Sequence, residues 1–156
     1  MALLLSDADI RTATDMTSMV NAVEVALKEE HAGMVMLPPR MNLMRDGRFL
    51  RIMPAQMEGS GLMGFKAFQG SLAKGVRYLI VLSTLDGELL ALVDAAYLTA
   101  ARTGATSGVA TRYMAKPEAS TVGVIGSGLE ADTNLSAVAA VRDLSAVKVY
   151  SRNPER

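Results

Sequence analysis

Apolar positions in the first third of the chain recur at helical spacing. Met16, Met19, Val20, Val23 and Leu27 fall three and four residues apart, while Glu24, Lys28 and Glu29 lie largely on the opposite face. This predicts an amphipathic core helix from Thr14, ended by Gly33. Ahead of it, Ser6 and Asp9 form a capping arrangement for a short turn. Leu37–Pro38–Pro39–Arg40 is extended, because each proline pushes its predecessor out of the helical region. The period then changes from helical to alternating. Strands are predicted over 48–53 and 64–68, with Phe65 and Ala67 on one face and Lys66 on the other. Two apolar runs, 78–84 and 88–93, are separated by Leu85–Asp86–Gly87 and read as a hairpin. These four segments are expected to form an antiparallel sheet.

From Asp94 to Gly108 the side chains become small, the texture of a helix pressed against another backbone. Gly104 and Gly108 each cost about 1 kcal/mol of helix propensity relative to alanine, which calls for a packing or ligand reason. A linker is expected over 115–120. After it comes a strand over 121–125, a glycine turn, a helix over 129–142 and a strand over 147–150. That is the rhythm of a right-handed crossover unit of about thirty residues. The predicted fold class is α/β, with an N-terminal α+β domain over 1–116 and the first βαβ unit of a Rossmann domain over 117–156.

Composition narrows the chemistry. The 156 residues carry 16 basic and 16 acidic side chains, one histidine and no cysteine. A net charge of zero removes the electrostatic case for nonspecific nucleic-acid or anionic-membrane binding. Without cysteine there is no disulfide framework, thiolate nucleophile or cysteine-ligated metal, and one histidine leaves no His/His metal pair. No run approaches the roughly 18 apolar residues of a membrane span. Met1–Leu5 lacks a basic leader, so no secretory signal is expected and the expected compartment is cytoplasmic.

The strand over 121–125 runs into Gly126–Ser127–Gly128–Leu129–Glu130–Ala131, a G-x-G-x-x-A turn opening a helix. The first glycine permits the tight turn, the second admits a pyrophosphate to the backbone amides, and the small sixth residue lets helix and strand pack closely. The alternative is a purely structural turn. At the end of the next strand an acid would read the adenosine ribose, but Ser151, Arg152 and Asn153 stand there. A hydroxyl, a guanidinium and an amide suit a 2′-phosphate, so NADP(H) is expected over NAD(H), unless Arg152 is only a solvated charge.

Three upstream cations are candidate ligand groups: Arg40 after the prolines, Lys66 in mid-strand, and Arg102 in the small-residue helix beside Thr103 and Gly104. Converging, they would suit a carboxylate. A solvent-facing charge or a structural ion pair is the alternative for Arg40 and Lys66. His31 is read as a helix-terminal cation or surface residue rather than a catalytic base, Asp94 as the cap of the following helix, and the methionines as core filler.

Taken together these residues resemble the ornithine cyclodeaminase/mu-crystallin family. The resemblance runs through Pro38–Pro39–Arg40, Met53–Pro54–Ala55, Gly64–Phe65–Lys66, the hairpin at Asp86–Gly87, Leu98 to Ala105, and Val124 to Gly128. The segment around Arg102 is its most specific part. It implies that Arg40, Lys66 and Arg102 bind a substrate carboxylate. It implies that Thr103, Gly126, Ser127, Gly128, Leu129, Glu130, Ser151 and Arg152 contact the nicotinamide cofactor.

Family chemistry begins with hydride transfer between nicotinamide and the carbon bearing an α-amine or imine, and members form dimers through the N-terminal sheet. Glu130 departs from the family's usual glutamine, placing a negative charge near the expected pyrophosphate. The family's catalytic aspartate and remaining Rossmann strands are expected beyond residue 156. Ornithine, lysine, alanine and cyclic ketimines stay open as substrates. The competing reading is a catalytically inactive binding or dimerisation module.

Overall fold

The turn at Leu85–Asp86–Gly87 closes the hairpin that centres the N-terminal sheet. The Thr84 amide donates to the Glu88 carbonyl at 2.9 Å, and the Gly87 amide donates to the Thr84 carbonyl at 3.1 Å. The computed structural model describes residues 1–71 and 73–152. The elements in chain order are β1 (Leu3–Leu5), α1 (Asp7–Ala13), α2 (Met16–His31), β2 (Val35–Met36), β3 (Met41–Arg45), β4 (Arg48–Met57) and β5 (Leu62–Ser71). Then follow β6 (Gly75–Thr84), β7 (Leu89–Asp94), α3 (Ala96–Met114), β8 (Thr121–Ile125), α4 (Leu129–Ala139) and β9 (Ala146–Tyr150). Among the described residues no helix is long and apolar enough to cross a membrane.

By contacts the chain divides into two compact units, Met1–Ala13 with Ala26–Leu98, and Thr14–Val25 with the chain from Thr99 onward. The second unit thus begins well before the linker expected at 115–120.

The first unit is a seven-stranded sheet of order β1-β7-β6-β5-β4-β2, with β3 also pairing β4. The four expected strands are present and antiparallel, but three more join them. β1 lies parallel to β7, pairing Leu3 with Ala91 and Leu5 with Val93. Three apolar residues are too few to display an alternation, which is why the pattern does not reveal them. β2 and β3 share one edge of β4, opposite residues 56–57 and 48–52 respectively. The interruption falls at Pro38–Pro39–Arg40, and Pro54 of β4 sits opposite that gap. A proline there forfeits no ladder bond on its outer side, so β4 continues through it rather than ending at Met53.

One sheet face carries a core of Ile10, Ala91 and Val93, with Leu5, Ile80, Leu82, Tyr97 and Leu98 packed around it. Here α1 begins with reciprocal capping, the Ser6 amide donating to the Asp9 carboxylate at 2.8 Å and the Asp9 amide to the Ser6 hydroxyl at 3.2 Å. The opposite face is apolar and uncovered. Phe65 is 36% exposed, Leu79 42%, Met41 58%, Leu43 58% and Met36 64%. A hollow of about 370 Å³ opens on it, lined by Met36, Pro38, Pro54, Met63, Phe65 and Val81 among others. The methionines are therefore not all core filler. Met16 and Met19 pack against a core, whereas Met36 and Met41 dress an exposed sheet face.

The second unit is held by Val20, Ala105, Val109 and Ala137, with Met16, Met19, Val23 and Val141 around them. Small side chains on α3 allow this approach. A Cβ at Gly104 would stand 2.4 Å from the Thr133 carbonyl oxygen, and one at Gly108 would stand 2.7 Å from a Val20 methyl. β8 and β9 pair in parallel from Thr121–Ala146 to Ile125–Tyr150, with α4 as the crossover. α4 ends at Ala139 rather than Arg142. Released from the helix, the Arg142 guanidinium donates to the carbonyls of Thr111, Arg112 and Ala115 at the end of α3.

Candidate functional site

The glycine turn is shaped by one backbone position. Gly126 has φ +119°, a region that side chains disfavour, and its amide donates to the Tyr150 carbonyl at 2.8 Å. That bond ties the turn to the end of β9. A second tie lies above it, where the hydroxyls of Ser127 and Ser151 meet at 2.9 Å. Gly128 is the N-cap of α4 in extended conformation, with no side-chain cap bond to the helix. A Cβ at Gly128 would meet nothing within 4 Å. The first amides of α4 are thus left to an external acceptor, and the helix dipole favours an anionic one.

Turn and strand end enclose a cleft of about 340 Å³ lined by Ile125, Gly126, Ser127, Gly128, Tyr150, Ser151 and Arg152. A bare backbone turn, uncapped helix amides, two hydroxyls and an exposed guanidinium fit the phosphates of a dinucleotide. Five of the eight expected cofactor contacts come together here. Leu129 and Glu130 belong to the first turn of α4 and do not line the cleft. Glu130 instead lines a neighbouring groove with Ser107, Val124, Ala131 and Asn134, and with Asp132 it complements the helix dipole. Thr103 is half-buried on α3, and its hydroxyl donates to the Thr99 carbonyl at 2.7 Å. Asn153 lies outside the described residues.

The upstream cations occupy different settings. Lys66 is half-buried in mid-strand, its ammonium 5.4 Å from the centre of the Phe68 ring. It pairs with Met53 on β4 and Ile80 on β6. Arg40 is exposed and immediately precedes the Met41–Ile52 pair. Continuing that register by one residue sets Arg40 level with Met53, two strands and about 10 Å from Lys66. Long side chains from two such positions can reach one ligand. Arg102 belongs to the second unit, exposed on α3. His31 is the exposed last residue of α2. Among the described residues no group of three or more acidic or histidine side chains could hold a metal ion.

One cross-strand feature escapes motif reading. Asn42, Arg51, Phe68 and Tyr78 form a cross-strand row beside the row of Lys66, on the same sheet face. The alternation Phe49–Arg51–Met53 carries that signal, but it becomes legible only once the pairing with Phe68 is known.

The model of the ornithine cyclodeaminase/mu-crystallin family matches residues 1–156. The chain belongs to that family. It is 35% identical to an alanine dehydrogenase of Archaeoglobus fulgidus, over 95% of this chain and 48% of the relative. Among solved structures, the Thermococcus litoralis Δ1-pyrroline-2-carboxylate reductase bound to NADH and L-proline superposes with a TM-score of 0.89 at 33% identity. The superposition covers 98% of this chain and 50% of that one. An archaeal alanine dehydrogenase dimer with bound NAD gives a TM-score of 0.91 at 33% identity, covering 99% of this chain and 50% of that one. The chain spans about half the length of these relatives. The expected α/β class is the fold of the family members, and the turn Gly126–Ala131 opens the Rossmann-type part of it.

Proposed function

We propose that this chain provides the substrate-binding domain and first nucleotide-binding unit of an NAD(P)-dependent enzyme acting on an α-amino or α-imino acid. The observation that carries the reading is the glycine turn, bonded through Ser127 to Ser151 at the end of β9, in a chain matched to this family throughout. The reductase with NADH and L-proline and the NAD-bound alanine dehydrogenase support the same ligand chemistry. When bound, the nicotinamide supplies the acceptor or donor of hydride at the carbon bearing nitrogen.

In this reading the chain's own residues bind and orient. Arg40 and Lys66 hold the substrate carboxylate, so that the reacting carbon is fixed by charge and by the bidentate geometry of arginine. The amides after Gly126 and Gly128 hold the pyrophosphate, and Thr103 contributes to the same cofactor site. Ser151 and Arg152 hold the 2′-phosphate of NADP(H), since among the described residues no carboxylate stands at the end of β9 to accept from a free ribose hydroxyl. The working form is a homodimer joined through the uncovered apolar sheet face.

That apolar face also favours a second reading, a noncatalytic dimerisation module. Isothermal titration of the folded chain with NADPH and NADH separates the two. Binding that favours NADPH by about tenfold or more supports the first reading, and Ser151→Asp then reverses the preference. Equal affinities overturn the phosphate assignment to Ser151 and Arg152. A folded dimer that binds neither nucleotide overturns the cofactor assignment and leaves the module.

A further inference from the structure

Arg51 is half-buried in the middle of β4, yet among the described residues no carboxylate lies within ion-pair or hydrogen-bonding distance of it. What surrounds it is aromatic. The guanidinium carbon stands 5.6 Å from the centre of the Phe49 ring and 5.5 Å from that of Phe68. Phe49 meets Phe68 edge-on at 6.1 Å, and Phe68 stacks on Tyr78 at 5.8 Å with 24° between the planes. The rings hold the guanidinium by cation–π attraction and leave its in-plane donors unspent. Arginine so placed is normally paired when it is withdrawn from water.

Its position relative to Lys66 makes the unspent donors informative. Arg51 pairs with Phe68, and Lys66 pairs with Met53, so the two cations are diagonal neighbours on one face, about 7–8 Å apart at the backbone. Both approach the same ring, Phe68, to within about 5.5 Å. A ligand bound at Lys66 therefore lies within reach of the Arg51 guanidinium, whose donors are open to a second acceptor.

We propose that Arg51 is the side-chain specificity residue of this site, reading a second anionic group on a substrate whose α-carboxylate is held at Lys66. The substrate class is then an α-amino or α-imino diacid. Arg51 supplies two parallel donors to the distal carboxylate, and the rings of Phe49, Phe68 and Tyr78 flank the aliphatic part between the two acids. This assignment rests on the carboxylate-binding role proposed above for Lys66.

The test is isothermal titration with four probes, L-aspartate, L-glutamate and their amides L-asparagine and L-glutamine, each differing only in distal charge. The expected result is that one acid binds at least about tenfold more tightly than its amide, and that Arg51→Met brings the ratio close to one. Arg77→Ala, an exposed cation on the opposite sheet face, should leave the ratio in place. Arg51→Lys retains charge without the planar fork and should give an intermediate ratio, which decides the matter should Arg51→Met fail to fold. Acids and amides binding equally, with binding abolished by Lys66→Ala, would overturn the Arg51 assignment and leave the carboxylate site standing. No binding of any of the four by folded protein would overturn both.

Discussion

The carboxylate of Asp7 accepts the backbone amide of Tyr97 at 2.7 Å, across 90 positions of sequence. Tyr97 lies in the first turn of α3, so the helix start is capped by a residue from α1. The expected cap, Asp94, makes only a 3.4 Å contact with the Ala96 amide. Arg11 joins the arrangement, donating to Asp7 at 2.8 Å while its guanidinium stands 4.2 Å from the centre of the Tyr97 ring. The Tyr97 amide first, and Arg11 second, hold the Asp7 carboxyl below its usual range.

A carboxyl lowered on folding adds stability above its unfolded value, near pH 4, and that stability is lost as the pH falls through the folded value. Asp7→Ala is therefore expected to cost about 1 kcal/mol at pH 7, the usual worth of a helix cap. Urea denaturation of wild type and variant checks this at pH 7 and at pH 3, where the difference should shrink. A difference that is constant with pH would mean that the charge of Asp7 plays no part.

Gly104 is a test of how closely α3 and α4 pack in the second unit. An added methyl would lie 2.4 Å from the Thr133 carbonyl oxygen and 2.5 Å from its carbon, backbone atoms that cannot turn aside. Gly104→Ala should thus destabilise by about 2 kcal/mol or more, overriding the gain of about 1 kcal/mol in helix propensity. Gly123→Ala on β8, where a Cβ would meet nothing within 4 Å, should change stability by less than about 0.5 kcal/mol. Equal thermal midpoints for the two variants would contradict the close approach.

How much of this was legible in the sequence depends on the range of the interaction. The helix through Val20, the hairpin at Asp86–Gly87 and the glycine turn at Gly126 are written in local spacing, and the structure has each of them. β1 and β3 are not legible, because three or five residues acquire strand character only from the partner they meet, Ala91–Val93 and Arg48–Ile52. Arg142 illustrates the same limit. Its spacing continues α4, but the helix ends at Ala139 and the guanidinium donates to three carbonyls at the end of α3, contacts that no local pattern announces. At the candidate site the glycine turn is a contiguous motif, whereas the setting of Arg51 becomes visible only through its cross-strand pairing with Phe68.

The uncovered sheet face predicts self-association. Phe65, Leu79, Met41, Leu43 and Met36 are all at least 36% exposed on one side of a sheet whose other side is packed. A contiguous apolar surface of this kind on a single protein marks an interaction site, and a two-fold dimer brings the same patch of both subunits together. Light scattering on the chain at micromolar concentration should report a dimer. Leu79→Asp places a charge at the centre of that face and should shift the mass toward the monomer, because a desolvated unpaired carboxylate costs several kcal/mol across an interface. Val25→Asp, on α2 and 52% exposed, should leave the mass unchanged. A monomeric wild type would detach the apolar face from dimer formation, and a Leu79→Asp dimer would move the interface elsewhere on the molecule.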